Sequence, residues 1–102
     1  MDETYEYDPD YVVAPGCSFQ EWLDDGGFDI VEISKNSDRV ERYVMSILTD
    51  VLDCKPLSIR HARLLDEITG IPEHIWLNME QNYRVGLEAG KHDVSNDILR
   101  RN

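Results

Sequence analysis

The chain has 102 residues, 41% hydrophobic and 30% charged, with a formal net charge of −11. That is enough for one modest core, too little for two, and too apolar for a disordered chain. No run of about 18 apolar residues or basic-then-apolar leader stands in the sequence, so neither a membrane span nor a secretory signal is expected and the cytoplasm is the default location.

The charge is unevenly spread. Residues 1–30 hold nine acids and no Lys or Arg, whereas the remainder sets 12 acids against 10 bases. Between Lys35 and Arg63 there are six bases and four acids. A mildly basic middle behind an acidic arm is compatible with nucleic acid, although mixed charge of this kind also marks ordinary solvated helix faces.

Residues 1–16, MDETYEYDPDYVVAPG, contain two prolines, a glycine and no helical period, and read as an extended arm. Such an arm either lies across the domain or a second subunit, or frays as termini do. A capping box, Ser18-Phe19-Gln20-Glu21, then opens a helix over about 18–25 with Phe19, Trp22 and Leu23 on one face, stopped by Gly26-Gly27. Asp29 caps a second helix over 29–36 with Ile30, Ile33 and Ser34 inward. A third, over 40–48, carries Val40, Val44, Ile47 and Leu48 on its stripe, with Glu41, Arg42, Met45 and Ser46 elsewhere. Two short helices across a tight turn form the organisation of a helix-turn-helix.

Asp50 to Pro56 reads as a loop. Ser58 caps a fourth helix over 58–69 that buries Ala62, Leu65 and Ile68 and closes at Gly70. A fifth spans 72–90 from Pro72, and its stripe Ile75, Trp76, Met79, Tyr83 and Leu87 serves as core, as a dimer seam, or as both. Residues 92–102 form a tail with room for a short helix. The expected fold class is all-α: five helices behind an extended N-terminal arm, with no strand.

Catalytic chemistry has little to stand on. His61, His74 and His92 form no metal-ligand spacing and read as surface or boundary residues; Cys17 and Cys54 read as free thiols. Phosphate loops, dinucleotide fingerprints and nucleophile elbows are missing. The expectation is therefore a protein that is not an enzyme, with no cofactor, no metal and no small-molecule substrate.

The stretch ITGIPEHIWLNMEQNYR, from Ile68 to Arg84, resembles a signature of the HigA-type antitoxins within the Xre/Cro-like helix-turn-helix superfamily: a helix ends, turns at Gly and Pro, and restarts with Trp-Leu-Asn. DPDYVVAPG, FQEWLDDGGF and PLSIRHA resemble the lead-in, first helix and fourth-helix start of that family, so the likeness runs over roughly residues 7–88. The resemblance implies a cytoplasmic homodimer that places its third helix in the major groove of an operator. Its DNA-contact candidates are Lys35, Arg39, Glu41, Arg42, Tyr43 and Ser46, with Arg42 suited to guanine and Glu41 to cytosine N4. It also implies a basic toxin as partner, for which Asp2, Glu3, Tyr5, Glu6, Tyr7, Asp8 and Asp10 of the arm are the natural contact. Where the family has Gln in its second helix and Gly at the turn, this chain has Ile30 and Asp38. Those departures leave an alternative open, an acidic protein-binding or inhibitor module on the same scaffold without DNA binding.

Overall fold

The computed structural model describes residues 10–99. The arm candidates Asp2, Glu3, Tyr5, Glu6, Tyr7 and Asp8 lie outside them. The described chain runs β1 (Tyr11–Val12), α1 (Pro15–Gly26), α2 (Ile30–Asn36), α3 (Glu41–Leu52), α4 (Ile59–Thr69), α5 (Glu73–Glu88), β2 (His92–Asp93) and α6 (Ser95–Leu99). It is an all-α fold with one strand bridge added.

Helix α1 starts three residues before the expected capping box. Pro15 occupies the first turn, where its missing N–H costs nothing, and Ala14 is the N-cap in extended backbone. The Ser18–Glu21 box is thus not formed; Ser18 is interior, and its hydroxyl donates to Met79 Sδ at 3.7 Å. Gly27 ends α1 at φ 68°, a conformation that favours glycine, and Phe28 N–H donates back to the Leu23 carbonyl at 2.9 Å. Phe28 then folds over the helix end and stacks on Trp22 at 4.8 Å between centroids.

Asp29 Oδ1 accepts from Val31 N–H at 2.9 Å and caps α2. Ser34, on its inner face, is 1% exposed and donates to the Ile30 carbonyl at 2.8 Å. This bond lets a hydroxyl sit where an apolar residue would be expected. Helix α3 follows a turn over 37–40, packs against both α2 and α1, and departs from expectation at both ends. Val40 is its N-cap and is 69% exposed, outside the buried stripe. At the other end the helix runs on through Thr49 and Asp50 to Leu52 because Val51, 1% exposed, continues the stripe of Val44, Ile47 and Leu48. The loop expected over 50–56 shrinks to a turn in which Cys54 takes φ 63°.

Ser58 caps α4 reciprocally. Its hydroxyl accepts from His61 N–H at 3.5 Å, while His61 Nδ1 accepts from Ser58 N–H at 3.1 Å. His61 is therefore not a loose surface residue. Its Nε2 lies 3.2 Å from Asp50 Oδ2 and fastens the end of α3 to the start of α4. Ala62, Leu64 and Leu65 are buried, with Ile68 half-buried. Asp66, from α4, accepts the Glu73 N–H at 2.9 Å and so caps α5 from outside.

Within α5, Trp76 is fully buried and Tyr83 nearly so, Met79 and Leu87 are half-buried, and Ile75 is 39% exposed. Ile75 lies one residue, about 100° of helix, away from the buried stripe and does not belong to it. Trp76 completes a core built with Phe19, Leu23, Val44, Ile47, Leu48, Val51, Leu57 and Leu65. Its face is consumed within this chain, so Trp76 cannot also be a seam for a second copy.

The strand-free expectation fails at the termini. Tyr11 pairs with His92 and Val12 with Asp93 in a parallel bridge, with His92 N–H donating to the Asp10 carbonyl at 2.9 Å. Just beyond, the Ser95 hydroxyl accepts from Ala14 N–H at 2.7 Å, and Asp93 accepts from Tyr83 Oη at 2.5 Å and from Ser95 N–H at 3.0 Å. The residues entering α1 are thereby held against those leaving α5.

Candidate functional site

Because Val44, Ile47, Leu48 and Val51 are turned inward, the first two turns of α3 display the opposite face. Glu41, Arg42 and Ser46 are exposed there, and Lys35 is exposed in the last turn of α2. Tyr43 is half-buried and packs against the core with part of its ring. Arg39, in the turn before α3, behaves differently. Its guanidinium reaches across to α4 and grips Glu67 through two bonds, Nη2 to Oε1 at 2.8 Å and Nε to Oε2 at 3.3 Å. These bonds hold the Glu67 carboxyl below the usual carboxylate range and raise the Arg39 pKa further above its ordinary value. Of the six sequence-derived DNA-contact candidates, four therefore stand open, one is half-buried and one is already occupied.

The structure adds residues that sequence reasoning did not single out. A groove of about 580 Å³ between α3 and α4 is lined by Arg39, Tyr43, Ser58, Ile59, Arg60, Arg63 and Leu64, with three guanidinium groups and no carboxylate. Next to it, Asp38, Arg39, Val40, Arg42, Tyr43 and Ser46 line a second hollow of about 790 Å³. Arg63 is 3.6 Å from Glu73, whereas Arg42 and Arg60 make no ion pair among the described residues. The available signal was the i, i+3 spacing of Arg60 and Arg63 just after the Ser58 cap, which puts both near one helix face.

Acidic side chains collect elsewhere. Glu21, Asp24 and Asp25 of α1 line a separate hollow with Ile98 of α6. Asp10, the described member of the acidic arm set, is exposed beside β1. The thiols sit within the fold: burial, then the nearby Cys54, push Cys17 up to about 11, and burial also raises Cys54. Both are therefore protonated and poor nucleophiles at neutral pH. Among the described residues no group of three or more His, Cys, Asp or Glu is placed to hold a metal ion, and no helix is long and apolar enough to cross a membrane.

Compared with known proteins, the chain matches no family model, no curated protein and no solved structure.

Proposed function

We propose that this protein is a DNA-binding regulator of the helix-turn-helix type, in which α2, the turn over 37–40 and α3 form the reading unit. The observation that carries the proposal is the pairing of an exposed, unpaired Arg42 on the first turn of α3 with an exposed, unpaired Arg60 on the first turn of α4. A guanidinium without an internal partner gives up no ion pair when it takes a phosphate or a guanine edge. Arg42 and Ser46 would read the major groove, Tyr43 would offer its edge to a base or sugar, and Arg60 and Lys35 would hold the backbone. Glu41 beside them restricts the sequence read, since a carboxylate is tolerated there only opposite a donor such as cytosine N4.

The resemblance to HigA-type antitoxins extends the proposal to a homodimer on a two-fold operator, with a basic toxin as second partner of the acidic arm. Trp76 being internal, the dimer would form through exposed groups such as Ile75 and Val85.

A second reading has its own support. Val40 is 69% and Ile59 54% exposed, one at the N-cap of α3 and the other at the start of α4. Two such aliphatic groups flanking the arginines suit a protein partner that brings carboxylates to a partly apolar surface.

Fluorescence anisotropy of the full chain on duplex DNA at about 50 and 200 mM salt decides between them, because phosphate contacts impose a steep salt dependence. Under the DNA reading, binding weakens sharply with salt and Arg42→Ala lowers affinity by about tenfold or more. Absence of binding at the lower salt removes the DNA reading and leaves the protein-partner one.

A further inference from the structure

Arg39 and Glu67 form a two-pronged pair whose side chains are 49% and 50% exposed. The fork that a guanidinium offers a carboxylate is the same one it offers a phosphate. A pair this exposed is held weakly enough to exchange partners, since solvent-exposed ion pairs contribute little. It stands at the edge of the groove between α3 and α4, where Arg60 has no ion-pair partner among the described residues and Arg63 has only the long contact to Glu73. Three arginines line this groove with no acidic residue in its lining, and Glu67 and Glu73 pair with two of them from outside it, so Arg60 is the local cationic excess in a chain of net charge −11.

We propose that the α3–α4 groove is a backbone-phosphate site, in which Glu67 stands in for the phosphate in the free protein and surrenders Arg39 to it when DNA binds. The proposal rests on the DNA reading above for its ligand and adds the site and the exchange. Two physical consequences follow. The carboxylate must be left unpaired in the complex, and this lowers affinity. The groove also discriminates against weak anions, because a ligand must outcompete an intramolecular carboxylate.

The test uses the full chain and three substitutions. Glu67→Gln removes the competitor and is expected to tighten duplex binding by about fivefold at 50 mM salt, the fold-change equivalent to one exposed ion pair. Glu21→Gln, at an exposed position of α1 outside the groove, changes net charge equally and is expected to do much less. Arg60→Ala is expected to weaken binding and reduce the slope of log affinity against log salt by about one. Equal effects of Glu67→Gln and Glu21→Gln, or an unchanged slope for Arg60→Ala, would overturn the exchange.

A second measurement separates this site from the wider reading. In 1H–15N spectra of the full chain titrated with inorganic phosphate, the Nε–Hε signals of Arg39 and Arg60 and the Ser58 amide should shift together. Phosphate shifts without any duplex binding would uphold the oxyanion groove and remove DNA as its source. Duplex binding that leaves these signals unmoved would retain the DNA reading and eliminate the groove. Silence in both titrations would refute both.

Discussion

Two glycines present the same gap to two different neighbours. A Cβ added to Gly16 would come within 2.2 Å of the Val51 carbonyl oxygen and 3.2 Å of its carbon, whereas one added to Gly86 would come within 2.2 Å of Val12 Cγ1. Ordinary contact begins at 3.4 Å, so each substitution demands about 1 Å of movement. For Gly16→Ala both sides of the gap are backbone: the first turn of α1, held by Pro15 and the Ala14–Ser95 bond, and the last turn of α3. Parting two packed helices by that amount costs about 3 kcal/mol. For Gly86→Ala the obstacle is a half-buried valine side chain that can turn about χ1 at a cost of about 1 kcal/mol. Replacing glycine inside α5 recovers about as much in helix propensity. Gly16→Ala should therefore lower the thermal midpoint by roughly 15 °C, and Gly86→Ala should leave it close to that of the wild type. Thermal and urea unfolding followed by far-UV circular dichroism would measure both. Equal losses, or a neutral Gly16→Ala, would mean that α1 and α3 do not approach at Gly16, and the packing argument would fail with it.

Two further predictions concern the seam between the termini. Ser95→Ala removes the acceptor of the buried Ala14 N–H, so it should cost about 1–3 kcal/mol and speed amide exchange at Ala14; an unchanged exchange rate would show that the bond is not holding α1. Burial, with the hydrogen bond to Asp93, pushes Tyr83 up to about 12. A folded pKa above the unfolded value near 10 means that this stability is complete below pH 10 and lost as pH rises toward 12, about 3 kcal/mol in all. At the other end, burial opposes ionisation of Asp93, but the bonds from Ser95 and Tyr83 outweigh it and keep its pKa lowered. Its contribution is present above the unfolded value near 4 and is lost as pH falls through the folded one. Urea midpoints of wild type and Tyr83→Phe should converge above pH 10, and a constant difference between them would contradict this account.

Local chemistry was legible in the sequence, and long-range chemistry was not. Asp29, Ser58, Gly27 and Gly70 act within a few residues of themselves, and all four cap or close helices as their types require. Trp76 was legible because the stripe it shares with Met79 and Tyr83 has helical period. Ser18 misled because its box competes with an earlier start at Pro15, and that start is secured by Ser95, 81 residues from Ala14. A two-residue bridge between Tyr11–Val12 and His92–Asp93 has no period to detect. Similarly, Thr49-Asp50 looked like a helix end until Val51 supplied one more buried contact.

The same distinction governs the candidate site, where charge counted along the chain differs from charge displayed on the surface. Between Lys35 and Arg63 the sequence shows six bases and four acids. In the fold, Arg39 and Arg63 are matched by Glu67 and Glu73 from beyond that segment, and Lys55 by Asp50 from within it. What is left unpaired in ion pairs is Lys35, Arg42 and Arg60, with Asp38, Glu41 and Asp53 among them. This remainder has no net charge, but its three bases sit on the last turn of α2 and the first turns of α3 and α4, the edges that a reading unit would turn toward a duplex. Under the DNA reading proposed above, such a face would hold a duplex through a few directed contacts rather than a broad positive field. Discrimination would then come from where Arg42 and Glu41 find complementary base edges, and strength from whether Arg39 can be drawn away from Glu67.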